Sequence, residues 1–404
     1  MLNIRFEIPD LERLDIDEWC IIGEGEAQKK ICRFMNEKGV TPPSTIYKNS
    51  SDFISDVKHD LYYGPSIVVI GSTMRYEIAK NIYEECRGIK KIESLTFVDF
   101  SPYVGIGSYE EWSAYSLKKL DSIPQVVIID SYYNDHCAYW MSTLISEIKR
   151  QGFSVAIIHP WQKYQFEIFE NAISIIVWNG AVPYLHDNLN TYLKSGNYNF
   201  FYAECGFFPQ EKYFYLDQNG INMKRSILED DLSWVSIEHY EKLREIANEF
   251  FMKVKPAYFD FDYVFCPLQV PDDTNVMDNS RFTHGMQEFI DYINKLYYGS
   301  ELKVVFKVHP KDPHVASYSF GDAIVSNQAS KALILGAKKV HGINSTVLFE
   351  AALAGKEIII EGESLLSHKC ANISKVLAAM VCCQCNIFNI SNNVLSLVLN
   401  VEHK

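Results

Sequence analysis

Apolar residues along this chain fall into short runs of four to six, separated by stretches with helical spacing. In the first half the runs are Trp19–Ile22, Ser66–Ile70, Ser94–Phe97, Gln125–Ile129, Ser154–Ile158 and Ser174–Val177. Helical patterns lie between them at Ala27–Lys38, Tyr76–Cys86 and Met141–Gln151. Runs that are apolar throughout, rather than alternating, suit parallel strands covered on both faces, and their alternation with helices predicts a doubly wound α/β sheet. Near Phe200 the texture changes to shorter strand-like segments, Phe200–Ala203, Tyr213–Leu216 and Gly220–Met223, followed by a charged helix over Ile237–Val254 and Pro256. The βα alternation then resumes. Strands are expected at Tyr263–Leu268, Leu302–Val308, Lys339–Ile343 and Glu357–Ile360, with helices at Phe282–Tyr298, Asn327–Gly336 and Val347–Gly355. The reading is α/β with two Rossmann-like domains, 1–240 and 241–404, facing a central cleft.

A length of 404 residues with 48% hydrophobic content is enough for more than one packed core and argues against disorder. A formal charge of −13 disfavours wrapping nucleic acid, which calls for a basic face. No apolar stretch approaches the roughly 18 residues of a membrane span. The Met1–Asp10 segment has acids and no apolar core, so a secretory signal is not expected and the ten cysteines are read as reduced thiols of a cytoplasmic protein. His368, Cys370, Cys382, Cys383 and Cys385 match no common zinc spacing, and Val381–Ile387 reads as a buried strand, so no metal is expected.

Polar residues close three runs of the second half. Cys266-Pro267-Leu268-Gln269-Val270-Pro271 ends in Asp272-Asp273, Val304-Val305-Phe306-Lys307-Val308 ends in His309-Pro310, and His341-Gly342-Ile343 ends in Asn344-Ser345-Thr346. Ligands of open α/β sheets sit beyond the carboxyl ends of the strands, so these three ends describe a site for an anion. Ser345 and Thr346 begin a helix, where a hydroxyl both caps free N–H groups and adds to an anion site. Glu350 on that helix is either simply helical or a partner for a hydroxyl. Other strand ends are weaker candidates. Gly23-Glu24-Gly25-Glu26 lacks the third glycine of a dinucleotide fingerprint and reads better as a tight turn. Gly71-Ser72-Thr73-Met74-Arg75 is either an anion-binding helix start or a capped helix with a solvated arginine. His159-Pro160 reads as a strand-ending turn.

Taken in order, Pro267-Leu268-Gln269-Val270-x-x-Asp273, Phe306-Lys307-Val308-His309-Pro310 and Asn344-Ser345-Thr346 with its Ala-Leu-x-Gly helix resemble the bacterial β-Kdo transferases of capsule and lipopolysaccharide assembly. Upstream, Glu204-Cys205-Gly206-Phe207 and Leu216-Asp217-x-x-Gly220-Ile221 add a fourth match, with Cys205 where a second acid is often found. The resemblance covers about 202–363. A similar grammar occurs in bacterial sialyltransferases and polysialyltransferases; the Gln-Val-x-x-Asp run favours Kdo.

The resemblance implies a GT-B-like fold and retaining transfer of Kdo from CMP-β-Kdo to a polysaccharide or glycolipid acceptor by double displacement. The alternative is an inverting CMP-sialic acid-dependent transferase in which Glu204 is the base. It implies Asp273 as nucleophile, with Asp272 as a capping neighbour and alternative, and Glu204 as acid/base from the other half of the chain. His309, Ser345, Thr346, Asn344, Gln269 and Lys307 would hold the donor. Gln269 would orient the acid or the donor carboxylate. One phosphate needs no diphosphate clamp, so no metal or other cofactor is expected, and histidine and neutral donors can stabilise the leaving group. The expected partners are CMP-Kdo and the glycan acceptor, with peripheral association at a glycan-assembly complex of the inner membrane and no nucleic acid.

Overall fold

The computed structural model describes residues 4–9, 16–104, 125–130, 137–162, 166–271, 273–369 and 372–400. Asp272 and Cys370, and part of the Met1–Asp10 stretch, lie outside them. The strands are β1 (Arg5–Glu7), β2 (Trp19–Ile22), β3 (Thr45–Tyr47), β4 (Ile67–Ile70), β5 (Thr96–Val98), β6 (Val126–Ile129), β7 (Val155–Ile158), β8 (Ser174–Trp178), β9 (Phe200–Cys205), β10 (Tyr213–Asp217), β11 (Tyr263–Pro267), β12 (Lys303–Lys307), β13 (Ile324–Val325), β14 (Lys339–Gly342), β15 (Glu357–Ile360) and β16 (Gln384–Asn386). The chain forms two compact α/β units, Met1–Phe201 with Ser391–Lys404, and Tyr202–Ile390.

In the first unit a parallel sheet runs β1-β5-β4-β2-β3, and β6 pairs in parallel with β7 and β8. Alternate residues of β2 serve opposite cores. Cys20 and Ile22 pack with Phe53, Ile78 and Ile82, while Trp19 and Ile21 pack with Ile31 and Met35 of the helix Glu26–Glu37. The loops after β2 and β4 meet closely: Gly23 has φ +126°, and a Cβ there would lie 2.5 Å from the Gly71 carbonyl oxygen. This packing requirement agrees with the tight-turn reading of Gly23. Arg75 differs from the solvated side chain of one sequence reading. It is buried, with Nε 3.3 Å from Asp99 Oδ2, and its guanidinium lies over the Tyr76 ring. His159 is fully buried; its Nδ1 accepts the Trp161 N–H (3.0 Å), which leaves Nε2–H to donate to Tyr76 Oη (2.8 Å). Burial holds this imidazole neutral, well below the usual histidine range.

In the second unit a fully parallel sheet has the order β13-β12-β11-β14-β15. Renumbered from β11 this is 3-2-1-4-5, the order of a dinucleotide-type fold, with its topological switch point between β11 and β14. Val264 and Cys266 face the core formed with Phe289, Ile290 and Ile293 of the helix Met286–Leu296, while Tyr263 and Phe265 face Leu333, Ile334, Leu348 and Ala351. Both faces are therefore covered, which is why β11 reads as an unbroken apolar run.

The compact units divide at Phe201/Tyr202, whereas the sequence reading set the division at 240/241. Two contacts explain the difference. β10 is antiparallel to both β9 and β16, and the helix Ile237–Phe251 shares a core with Ile373–Cys383 through Ile246, Phe250, Val376 and Met380. Two local expectations also change. Gly220–Met223 is no strand: Asn222–Lys224 forms a 3₁₀ turn behind Asp217, whose carboxylate accepts the Asn219 N–H and the Ser226 N–H and O–H. Val381–Ile387 is a helix end through Cys383, followed by the three-residue β16. No helix among the described residues is long and apolar enough to cross a membrane.

Gly23→Ala should lower the stability of the first unit by about 1–3 kcal/mol, because it adds a steric clash to a strained backbone. Gly25→Ala, at φ +92° with nothing within 4 Å of its Cβ, should cost less. Urea unfolding followed by a probe in the first unit checks the order of the two losses.

Candidate functional site

The switch point of the second unit gathers most of the residues singled out by sequence. At the end of β11 the chain continues through Leu268, whose N–H bonds the Lys307 carbonyl (2.9 Å), to Gln269. Gln269 and Asn344, each 7% exposed, face one another across the gap between β11 and β14. Gln269 Nε2 donates to Asn344 Oδ1 (3.0 Å), and the Asn344 backbone N–H donates to Gln269 Oε1 (3.2 Å). Asn344 Nδ2 donates in turn to the Asn275 carbonyl (2.7 Å).

Asp273 caps the helix Thr274–Asn279, with Oδ1 accepting the Asn275 N–H (2.8 Å). His309 is partly buried at the end of β12, and the fields of Asp273 and Asp312 favour its protonated form. Burial and the neighbouring Lys311 outweigh them and hold the imidazole below its usual range. Its Nδ1 accepts the Lys311 N–H (3.2 Å), so a neutral ring carries its proton on Nε2 and can donate from there. The structure thus places Asp273 and His309 within electrostatic reach of one another.

Ser345 caps the helix Thr346–Leu353, with Oγ accepting the Val347 N–H (3.2 Å). Thr346 Oγ1 accepts from Gln210 Nε2 (3.4 Å), which links this helix start to the Glu204 segment. Next to this helix start is a hydrogen-bonded network around His341. His341 Nε2 contacts Glu361 Oε1 (2.9 Å), Tyr292 Oη donates to the same oxygen (2.9 Å), and Arg281 pairs with Oε2 (2.8 Å). Lys307 is turned away, donating to the Gln328 carbonyl (2.9 Å).

Glu204 lies in the same compact unit as Asp273, not in the first half as expected, because Tyr202–Cys205 pairs with β10. Its Oε1 accepts the Cys205 N–H (2.9 Å), and it stands opposite Tyr215 in register. Gly206 permits the close approach to β10 that follows, since a Cβ there would lie 2.5 Å from Tyr213 Cβ. Phe207 then stacks on Tyr215 and meets Phe349 of the Ser345 helix at 5.3 Å. The Glu-Cys-Gly-Phe motif therefore joins the antiparallel strands to the helix that Ser345 caps.

A cavity of about 350 Å³ is lined by Phe208, Glu211, Tyr213, Ile246, Phe250 and Lys331, among others. None of these residues was singled out by sequence, since they come from three segments with no shared motif. The cavity residues Glu211 and Lys331 act electrostatically on Glu350, whose carboxyl is pushed up to about 7 by burial, opposed by Lys331.

No family model matches the chain. Protein FixF of Sinorhizobium fredii is 29% identical over 190 residues, 44% of this chain and 44% of that protein, so the match spans under half the length of this curated relative. Among solved structures, Thermosulfurimonas dismutans KpsC, described as a β-Kdo 2,7 transferase, is similar with 18% identity and a TM-score of 0.45, covering 63% of this chain and 89% of that one. A second KpsC structure from that organism, described as a β-Kdo 2,4 transferase, is similar with 14% identity and a TM-score of 0.48, covering 64% and 90%.

Because the folded chain holds the Glu350 proton more tightly than the ordinary value of 4.5, unfolding releases it, and stability falls as pH rises from 4.5 to about 7. Glu350→Gln removes that slope. The variant should match the parent near pH 4 and exceed it by roughly 2 kcal/mol at pH 8, taking about 1.4 kcal/mol for each tenfold gain in proton affinity and allowing for partial exposure. Denaturant melts at the two pH values check it.

Proposed function

We propose that this chain is a glycosyltransferase that moves Kdo from CMP-β-Kdo to a polysaccharide or glycolipid acceptor with retention. The observation that supports the reading is that three neighbouring strands of one sheet, β11, β12 and β14, lead into a carboxylate (Asp273), a histidine within that carboxylate's field with Nε2–H to donate (His309), and a capped helix start (Ser345, Thr346). An electrophilic sugar carbon suits the first, and an anionic leaving group suits the other two.

In the first step the Asp273 carboxylate attacks the anomeric carbon, and the bond from that carbon to the CMP phosphate oxygen breaks. The charge that develops on the phosphate is taken up by His309 Nε2–H and by the N–H groups and hydroxyls at Ser345 and Thr346. In the second step an acceptor hydroxyl attacks the same carbon, Glu204 receives its proton, and Asp273 leaves as the carboxylate. Two inversions give retention. The neutral state of His309 suits a donor that must not form a permanent ion pair with the released nucleotide. The charge of the single phosphate is met by these hydrogen-bond donors, and no divalent ion is called for. The acceptor, and docking at a membrane-bound assembly complex, belong to the same proposal.

Thermal-shift titration should show stabilisation by CMP greater than by UMP, UDP or GDP. His309→Ala should weaken CMP binding about 10–150-fold, the worth of one hydrogen bond to a charged group, with little change in the melting point without ligand. Equal CMP affinity in parent and variant would remove the phosphate role of His309, and a preference for UDP would remove the CMP reading.

A further inference from the structure

We propose that Asn344 is a positioning residue for Asp273, a role that rests on the reading just given. The connection runs through one residue. The Asn275 N–H is held by Asp273 Oδ1 (2.8 Å), and the Asn275 carbonyl is held by Asn344 Nδ2 (2.7 Å). The same Nδ2 lies 3.4 Å from the Asn279 and Glu363 carbonyls. Asn344 therefore grips the helix Thr274–Asn279 at its beginning and its end. A helix of six residues has almost no stability of its own, so its direction is set from outside.

The grip itself is built into the sheet. Asn344 Oδ1 and backbone N–H are both engaged by Gln269, which fixes the carboxamide orientation and turns Nδ2 toward the Asn275 and Asn279 carbonyls. Gly362 leaves the room required, since a Cβ there would come within 2.8 Å of the Asn279 oxygen and 3.0 Å of Asn344 Nδ2. The Glu363 N–H adds a bond to the Asn279 carbonyl (2.7 Å). Asn344 also directly precedes Ser345, so the strand end that carries the anion site and the helix that carries the carboxylate share one anchor. Holding the leaving phosphate and aiming the nucleophile are thereby tied to a common frame, and a displacement of the Asp273 helix by about 1 Å is enough to cost roughly 100-fold in rate.

The test compares the full chain with Asn344→Ala and Gln269→Glu by hydrogen-exchange mass spectrometry, CMP titration and turnover of CMP-Kdo. Gln269→Glu keeps the acceptor for the Asn344 N–H and removes one donated bond, so it covers the case in which Asn344→Ala does not fold. In Asn344→Ala the amides of 275–279 should exchange at least about tenfold faster, reflecting loss of local protection. kcat should fall about 100-fold or more while CMP affinity and KM for the donor stay within about threefold, as expected when positioning but not binding is lost. Gln269→Glu should move exchange and kcat in the same direction by less. Unchanged exchange in 275–279 would overturn the proposal, as would CMP affinity falling in step with kcat, which would make Asn344 a ligand. Absence of CMP binding by the parent, together with faster exchange at 275–279 in Asn344→Ala, would overturn the functional reading while leaving the grip on the helix standing.

Discussion

Between β11 and β14 the parallel sheet of the second unit has neighbours whose connections depart in opposite directions, and the crevice this leaves is closed by two carboxamides. Gln269 and Asn344 supply each other with a donor and an acceptor in a place too buried for water to do so at low cost. The rest of the site is arranged around that pair. Ser345 and Thr346 follow Asn344 directly, the Asp273 helix hangs from its side chain, and His309 stands at the end of the adjoining strand, β12.

Desolvation sets the charge pattern on this frame. With Lys311 it outweighs the fields of two carboxylates at His309 and holds that imidazole below its usual range, and against Lys331 it pushes the Glu350 carboxyl up to about 7. At Glu361 the order reverses, because His341, Tyr292 and Arg281 together overcome burial and hold the carboxyl below its usual range. One unit thus carries a neutral imidazole, a protonatable acid and a fixed carboxylate within a few strand ends of each other. Groups whose surroundings push their proton affinities apart are what acid–base and leaving-group chemistry draws on.

Much of the fold was legible because buried parallel strands leave continuous apolar runs, and β2, β4, β11, β12 and β14 fall within two residues of where those runs predict. The parts that were not legible depend on distant partners. Nothing local in Phe200–Asp217 says that β10 will be flanked by β16, some 170 residues on, and so the unit boundary and the placement of Glu204 were missed. Val376–Val381 is buried on every side, so its pattern has no period to separate helix from strand. Gly220–Met223 has the residue types of a strand, but Asp217 draws the following N–H groups into a turn. In the candidate site, residue types at strand ends marked where polar groups lie, while the direction of each side chain did not follow from type. Gln269 and Asn344 turn to one another, Lys307 to a carbonyl, and Arg75 to Asp99.

The central claim is that Asp273 attacks the sugar, and intact-protein mass spectrometry with CMP-Kdo and no acceptor tests it most directly. The account predicts an added Kdo mass on the parent, located to the peptide containing Asp273, and its absence in Asp273→Asn although that variant still binds CMP. An adduct on the peptide containing Glu204 would exchange the two roles. Near-parental turnover by Asp273→Asn with no adduct on the parent would contradict the retaining mechanism and leave direct, inverting displacement with Glu204 as base.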